Sequence, residues 1–275
     1  ANAYLQIGTS TNPWIGNVTI NDIVFQNASN SNSVTVYTDT GNITMNNVDV
    51  SQQTGTRYTA FLDSNSGIIT VQNGSSFDGD NTGGDTSRGF YANSDTGSIS
   101  ISGGSSGGSP YTFRDSSGGA GANYNGATLS APIVTLSNVI ARTNDGNGIE
   151  LSNAAFISLS SVQSGPNQNG EGNGLSGVRI NGTGSTIAVI SGTSSFADNG
   201  SYGVAIFNGS LFIRTGVGNS VACGSGNTAN GISCYNVVPT TTPDVTPPTI
   251  TPNVTGTLGN NNWYTTNVGI TWIIT

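Results

Sequence analysis

Short runs of alternating apolar and polar residues recur along most of this chain. In six of these runs a glycine stands directly before the first apolar residue, as in Gly148-Ile-Glu-Leu and Gly177-Val-Arg-Ile. The runs begin at Ser33, Thr59, Gly89, Gly126, Gly148, Gly177, Gly203 and Gly231, with spacings of 26, 30, 37, 22, 29, 26 and 28 residues. Alternation with a period of two places every second side chain on one face, so each run predicts a half-buried β-strand.

A partner strand follows each of the first seven runs after a few residues. The apolar pairs predicted to point inward in these partners are Ile43/Met45, Ile69/Val71, Ile99/Ile101, Val134/Leu136, Ile157/Leu159, Ile187/Val189 and Leu211/Ile213. Two strands in each period of roughly 20–50 residues indicate a solenoid. The sequence therefore predicts an all-β fold in which about eight coils stack between residues 17 and 238.

A small or turn-forming residue follows each partner strand and marks a predicted corner. These corner residues are Asp22, Asn47, Asn73, Gly103, Asn138, Ser161, Ser191 and Thr215. An apolar residue often comes next, as in Asn47-Val48, Asn138-Val139 and Ser161-Val162. Asn and Gly tolerate the left-handed backbone conformation that a sharp corner needs. A stacked column of such residues can also share side-chain hydrogen bonds along the solenoid.

With these strands and corners, residues 17–238 resemble the repeat of the right-handed parallel β-helix in the pectin-lyase-like superfamily. The resemblance implies a right-handed parallel β-helix, with a polysaccharide lyase or a glycoside hydrolase as the enzyme alternative. Enzymes of this class use clustered Asp residues together with Lys, Arg or His on one strand face. The chain has no Lys and no His, so only its six Arg could supply the basic group.

Charged residues are dispersed over strands and turns. The alternation places Glu150 and Arg179 on the outside of neighbouring coils, where they form a predicted surface ion pair. Asp145 and Asp198 fall in Gly- and Asn-rich turns, where Asp is common for conformational reasons. We therefore predict that the chain is not an enzyme. A glycan-binding module without turnover is a further alternative for the function of the chain. Tyrosines near Gly-rich loops could form a sugar-stacking surface, and ordinary anchoring of those loops is the alternative role for them. The tyrosines near Gly-rich loops that could stack on a sugar are Tyr91, Tyr111, Tyr124 and Tyr202.

Composition narrows the class of protein. The net charge is −8, the pI is near 4.1 and only 7% of residues are charged. These values argue against nucleic acid and anionic lipid as partners, because both need clusters of Lys and Arg. No apolar stretch is long enough to cross a membrane. The chain starts at Ala1 without Met, so we expect either a processed secreted form or a segment of a longer protein.

The most acidic local cluster is Asp78-Gly-Asp80-Asn81-Thr-Gly-Gly-Asp85. Three carboxylates with carbonyl-rich turns could hold a hard cation such as Ca²⁺. The cluster only half matches an EF-hand loop, because Gly89 occupies the position of the bidentate Glu. The alternative is an acidic, solvated loop, and Ca²⁺ is the only cofactor that the sequence suggests.

The two cysteines, Cys223 and Cys234, flank a turn-rich segment. A pair this close is typical of a loop-closing disulfide in an oxidising compartment, and two reduced thiols are the alternative. Asn-x-Ser/Thr sequons suggest a glycoprotein but are about as frequent as the composition alone would give. They lie at Asn17, Asn27, Asn42, Asn73, Asn181, Asn199, Asn208 and Asn253.

The ends of the chain differ from the repeats. Residues 1–16 are predicted to form an entry or cap segment, and residues 239–248 a stiff Pro/Thr linker. The last segment follows Pro247-Pro248, contains Trp263-Tyr264 and continues into Val268-Gly-Ile270-Thr-Trp272. With this pattern, residues 249–275 resemble the opening of bacterial surface immunoglobulin-like repeats. So few strands cannot bury their own apolar face, which leaves either a longer parent protein or completion by another chain. The predicted assembly residues are Trp263, Tyr264, Val268, Ile270 and Trp272.

Taken together, these features predict an extracellular structural or adhesive protein that is secreted or held at the cell surface. The open ends of a solenoid are unpaired sheet edges, which must be capped or joined to another chain. We expect self-association into a filament or adhesin stalk through the C-terminal strands, with glycans as the other candidate partner.

Overall fold

The computed structural model of the chain describes residues 4–26, 32–53, 57–79, 88–103, 113–114, 124–165, 172–213, 234–235, 237–239, 250–261 and 263–274. The chain divides into two compact units, residues 1–240 and residues 241–275. Every regular element in the described ranges is a β-strand, as the alternation predicted.

The strands are numbered in chain order. They are β1 (Leu5–Ile7), β2 (Val18–Gln26), β3 (Val34–Thr38), β4 (Ile43–Gln53), β5 (Tyr58–Ser64), β6 (Ile69–Gln72), β7 (Ser76–Gly79), β8 (Arg88–Ser94), β9 (Ser98–Ser102), β10 (Phe113–Arg114), β11 (Ala127–Ser130), β12 (Ile133–Ser137), β13 (Ile140–Arg142), β14 (Ile149–Ser152), β15 (Phe156–Ser160), β16 (Gln163–Ser164), β17 (Val178–Ser191), β18 (Val204–Ile213), β19 (Cys234–Tyr235), β20 (Val237–Pro239), β21 (Ile250–Thr255) and β22 (Gly269–Ile274).

The first unit is a parallel β-solenoid with three faces. Sheet 1 contains β1, β3, β5, β8, β11, β14, the first parts of β17 and β18, and β19. Sheet 2 contains the first parts of β2 and β4, then β6, β9, β12, β15, the second parts of β17 and β18, and β20. Sheet 3 contains the second parts of β2 and β4, then β7, β10, β13 and β16.

Within the described residues, the turns with a strand on all three faces are fewer than the predicted coils, which were counted from two strands each. About six turns carry a strand on all three faces, against about eight predicted coils. Within the described residues sheet 3 has no named strand after β16, although sheets 1 and 2 continue to β19 and β20. The repeat pattern located the strands of sheets 1 and 2 but contained no equivalent signal for the short strands of sheet 3.

The core consists of side chains that alternate inward and stack in register from turn to turn. In sheet 1, for example, Val36 lies opposite Leu62 and is fully buried with it. The inward pairs predicted for sheet 2 are confirmed for Ile43/Met45, Ile69/Val71, Ile99/Ile101, Val134/Leu136 and Ile157/Leu159. Burial of this apolar area is the main stabilising contribution to each turn.

The next predicted pair, Ile187/Val189, is wrong by one residue. Ala188 and Ile190 are fully buried and lie in register with Ile157 and Leu159, whereas Ile187 is 45% exposed. The register of β17 against β18 shifts between Asn181 and Thr186. Because side chains alternate with a period of two, a one-residue shift moves a whole strand to its other face.

Most of the predicted corners adopt the left-handed conformation. Asp22, Asn47, Asn73, Asn138 and Ser161 have φ values of 53°, 53°, 57°, 51° and 53°. The apolar residues that follow three of them, Val48, Val139 and Val162, are fully buried. The predicted corner Ser191 is wrong by one residue, because the positive φ falls at Gly192 (67°). The one-residue error in the predicted register of β17 also displaces this predicted corner, because Ser191 pairs with Ser160 and Gly192 follows it.

Side-chain amides stack along the inside of another corner. Asn144 donates from Nδ2 to Oδ1 of Asn173 at 2.8 Å, and Asn173 donates from Nδ2 to Oδ1 of Asn199 at 2.9 Å. All three side chains are buried. An amide can donate and accept at once, so each link satisfies polar groups that would be costly to bury alone.

The second unit contains an antiparallel pair, β21 and β22, called here the C-terminal ribbon. Ile250 lies opposite Ile274 and Thr255 lies opposite Gly269. A bridge between Leu258 and Tyr264 closes the intervening segment. Each described side chain of β21 is exposed, as are the described side chains of β22.

Candidate functional site

The outer face of sheet 1 presents two columns of side chains along the solenoid. The first outer column is Thr35, Phe61, Tyr91, Thr128, Glu150, Arg179 and Ala205. The second is Tyr37, Asp63, Asn93, Ser130, Ser152, Asn181 and Phe207. Parallel pairing in register places these residues about 4.8 Å apart from one turn to the next.

Four rings of this face form an aromatic cluster, defined as Tyr37, Tyr58, Phe61 and Tyr91. The rings of Phe61 and Tyr91 stack with centroids 4.5 Å apart and planes inclined by 9°. Tyr37 contacts Phe61 at 5.4 Å, and Tyr58 contacts Phe61 at 5.6 Å and Tyr91 at 5.4 Å, all at tilted angles. The guanidinium of Arg88 lies 5.4 Å from the centre of the Tyr58 ring. Such contacts stabilise the rings beyond their area burial.

Carboxylates and amides surround the aromatic cluster. The Nδ2 group of Asn93 donates to Asp63 and to Asp95, in each case at 2.9 Å. Asn65 donates to Asp39 at 2.7 Å. Burial and, after it, the charge of Asp63 raise the pKa of Tyr91 and of Tyr37 above the usual value of 10.0. Both phenols therefore stay protonated at neutral pH and can donate hydrogen bonds.

Glu150 and Arg179 lie in register on neighbouring turns, as predicted, but the predicted ion pair between them is not formed. The carboxylate of Glu150 instead accepts from Nδ2 of Asn125 at 2.8 Å, of Asn147 at 3.3 Å and of Asn181 at 2.8 Å. The guanidinium of Arg179 lies 5.3 Å from the centre of the Phe207 ring. The surrounding amides thus compete successfully with a charge pair that would be worth little at a surface.

The structure tests the calcium hypothesis only in part. Asp78 lies in β7 and is partly exposed, whereas Asp80 and Asp85 fall outside the described residues. In the part of the chain that the structure describes, no group of three or more His, Cys, Asp or Glu side chains could hold a metal ion. The Asp78/Asp80/Asp85 site therefore stays a prediction.

The predicted disulfide also stays a prediction. Cys234 begins β19 and pairs in sheet 1 with Val204, but Cys223 lies outside the described residues. Asp145 and Asp198 lie exposed in turns, and Asp198 has a φ of 51°, which accords with its predicted conformational role. A helix long and apolar enough to span a membrane is not found among the described residues.

The predicted assembly residues lie together on the C-terminal ribbon and its connecting segment. Trp263 is 77% exposed, Trp272 is 65% exposed and Ile270 is 60% exposed. Tyr264 and Val268 are also exposed. The ribbon therefore presents large apolar side chains for which the described residues of this unit provide no core.

Sequence reasoning found only one member of the aromatic cluster. Tyr91 was among the predicted stacking residues, Tyr111 lies outside the described residues, and Tyr124 and Tyr202 lie outside the cluster. The missed signal was the shared offset of Phe61 and Tyr91, which each stand two residues after the start of their runs at Thr59 and Gly89.

The fold is that of a parallel β-helix. Comparison with known proteins gives no matching family model, no matching curated protein and no matching solved structure.

Proposed function

We propose that this chain is an extracellular structural or adhesive protein in which the solenoid serves as a stalk and the C-terminal ribbon joins subunits into a filament or surface assembly. The observation behind this proposal is the exposure of Ile270 and Trp272 on the two-stranded C-terminal ribbon and of Trp263 on its connecting segment. An isolated pair of strands is marginally stable in water, and a cluster of exposed large apolar side chains typically marks an interface.

Further features support this proposal. The strand and corner pattern supports kinship with the pectin-lyase-like superfamily, and the ribbon supports the start of an immunoglobulin-like repeat. Residues 245–275 contain no charged side chain, so association through them meets little repulsion in a chain of net charge −8. Strand addition to an open sheet edge is a known mode by which chains join.

Truncation after Val238 tests this assembly. The shortened protein should retain the circular dichroism spectrum and the melting transition of the solenoid but remain monomeric in sedimentation velocity. Electron micrographs of the full chain should show filaments or end-linked particles. Filaments formed by the truncated protein would rule out the ribbon as the connector.

A point variant separates the ribbon from the rest of the chain. Trp272→Ser should abolish assembly because it removes a large exposed apolar side chain from β22. Ile133→Ser is the matched control, because Ile133 is 48% exposed on the solenoid. Equal loss of assembly in both variants would contradict a specific role for the ribbon.

We also propose that the chain binds without catalytic turnover. The carboxylates of Glu150 and Asp63 accept hydrogen bonds from neighbouring amides, which supports a structural role for both. Release of reducing sugar or of unsaturated uronate from a panel of pectins and other glycans would overturn this, provided that the activity is lost on substitution of Asp145 or Asp198.

A further inference from the structure

The stack formed by the rings of Phe61 and Tyr91 ends at Tyr91 among the described residues. These rings lie on neighbouring strands and stack at 4.5 Å, so the stack runs from turn to turn. On the far side of Phe61, Tyr37 contacts the ring at 5.4 Å. On the far side of Tyr91 the next residue in the column is Thr128, whose side chain is short. Among the described residues, no ring stacks on that face of Tyr91.

A gap therefore follows Tyr91 in the first outer column. Glu150 is the next long side chain, and it stands two strand spacings, about 10 Å, from Tyr91. A ring stacked on Tyr91 at about 4.5 Å would lie over Thr128 and about 5 Å short of Glu150. This gap, bounded by Tyr91, Thr128 and Glu150, is called here the Thr128 notch.

The polar groups around the notch can exchange hydrogen bonds with a hydroxylated ligand. The Thr128 hydroxyl accepts from Nδ2 of Asn125 at 3.2 Å, which leaves its own hydrogen free to be donated. The Glu150 carboxylate accepts three amide hydrogen bonds, and a carboxylate has about four acceptor positions. One acceptor position thus remains for a ligand hydroxyl, and the three amides hold the carboxylate in place.

We propose that the Thr128 notch binds one pyranose ring of a neutral glycan. The C–H face of the sugar packs on the open face of Tyr91, and its hydroxyls exchange hydrogen bonds with Thr128 and Glu150. A pyranose has both an apolar face and a rim of hydroxyls, which matches an aromatic wall beside a polar floor. The inference concerns the solenoid alone and does not depend on assembly through the C-terminal ribbon.

The charges near the notch select a neutral sugar over an acidic one. Glu150 forms one wall, and Asp63 and Asp95 lie beside the aromatic cluster. The cation beside the aromatic cluster, Arg88, packs on the Tyr58 ring, and Arg179 lies one turn beyond Glu150 and against Phe207. A uronate carboxylate on the Tyr91 ring would therefore face the like charges of Glu150 and Asp63, while both of these arginines are engaged with other aromatic rings.

Calorimetric titration of the full chain with neutral hexasaccharides tests the proposal. The probes are β-1,4-glucan, xylan, mannan and chitin hexasaccharides, with a hexagalacturonate as the acidic comparison. At least one neutral probe should bind in the micromolar to millimolar range, and it should bind more tightly than the hexagalacturonate. No binding of any neutral probe, or preference for the acidic one, would overturn the proposal.

Three variants locate the site. Tyr91→Ala should lower affinity about tenfold or more because it removes the stacking wall, whereas Tyr91→Phe should keep most of it. Thr128→Phe should extend the aromatic stack, remain folded by its melting temperature, and block binding by filling the notch. Phe156→Ala is the control, because Phe156 is an exposed aromatic residue of sheet 2.

Two outcomes of this series discriminate sharply. Unchanged affinity in Thr128→Phe would overturn the notch as the site, even if Tyr91→Ala also disturbs folding. Trp272→Ser should bind the sugar as the unaltered chain does, so loss of assembly and loss of glycan binding are separate results.

Discussion

Single residues at the corners decide where each turn bends. Asn47 has a φ of 53° and donates from Nδ2 to Oδ1 of Asp22, one turn earlier, at 2.8 Å. Asn therefore supplies two things at once, tolerance of the left-handed backbone and a bond that links neighbouring turns.

Substitution of Asn47 separates these two contributions. Asn47→Ala should lower the free energy of unfolding by about 1–3 kcal/mol, because it adds left-handed strain and removes the hydrogen bond. Asn47→Gly should cost about 1 kcal/mol, because Gly adopts the same φ and loses only the bond. Urea unfolding of both variants measures the difference. Equal losses of stability in the two variants would show that Asn47 does not relieve left-handed backbone strain.

The ionisation of Tyr91 should make the stability of the folded chain depend on pH. Burial, followed by the charge of Asp63, raises the pKa of Tyr91 above 10.0 in the folded state. The folded chain thus holds this proton more tightly than the unfolded chain does. The stabilising contribution is complete below about pH 10 and is lost as the pH rises through the raised pKa.

This behaviour can be measured by urea unfolding between about pH 8 and pH 12. The free energy of unfolding should fall at the alkaline end, and the fall should be smaller in Tyr91→Phe. Tyr264→Phe is the control, because Tyr264 lies in the segment that connects β21 and β22 rather than in the cluster. Identical alkaline slopes in all three proteins would contradict the coupling.

At the scale of the strand, alternation predicted the fold and the core but could not detect a local shift. Pairs such as Ile43/Met45 and Val134/Leu136 were predictable because inward and outward positions differ in polarity. In β17 the residues Ile187, Val189 and Ile190 are all apolar, so either register satisfies the pattern. The shift between Asn181 and Thr186 depends on the register against β18, which the sequence of one strand does not reveal.

Adjacent alanine substitutions test the register of β17. Ile190→Ala should lower the free energy of unfolding by about 2–5 kcal/mol, because the side chain is fully buried. Val189→Ala should cost less than about 1 kcal/mol, because Val189 is partly exposed on the opposite face. Chemical denaturation compares the two directly. A larger loss of stability in Val189→Ala than in Ile190→Ala would contradict the observed register and favour the one expected from the sequence.

The candidate site was predictable to a similar, limited extent. Matching offsets place Phe61 and Tyr91 in one column, but their stacking depends on parallel pairing between β5 and β8. Tyr58 stands outside the repeating offsets and reaches the cluster only through the three-dimensional structure. The amide bonds of Glu150 were not predictable either, because Asn125, Asn147 and Asn181 come from different turns.

At the scale of the whole solenoid, the stability of each turn should depend mainly on its contacts with the neighbouring turns. Each turn of such a repeat contacts only the turns before and after it. The buried ladder of Asn144, Asn173 and Asn199 joins three successive turns of this kind. Asn173 is the middle link, and its loss removes bonds to both neighbours.

Asn173→Ala should therefore unfold part of the solenoid more readily than the rest. The free energy of opening should fall by about 2–4 kcal/mol in the turns that hold the ladder, because the substitution removes several bonds between buried groups. Hydrogen exchange should accelerate in β13 to β17 and stay unchanged in β3 to β6, which contact the ladder only through intervening turns. Asn65→Ala is the control: Asn65 is exposed and makes one comparable bond, to Asp39 at 2.7 Å. Equal acceleration across all strands of the first unit would show that the solenoid opens as a single cooperative body instead.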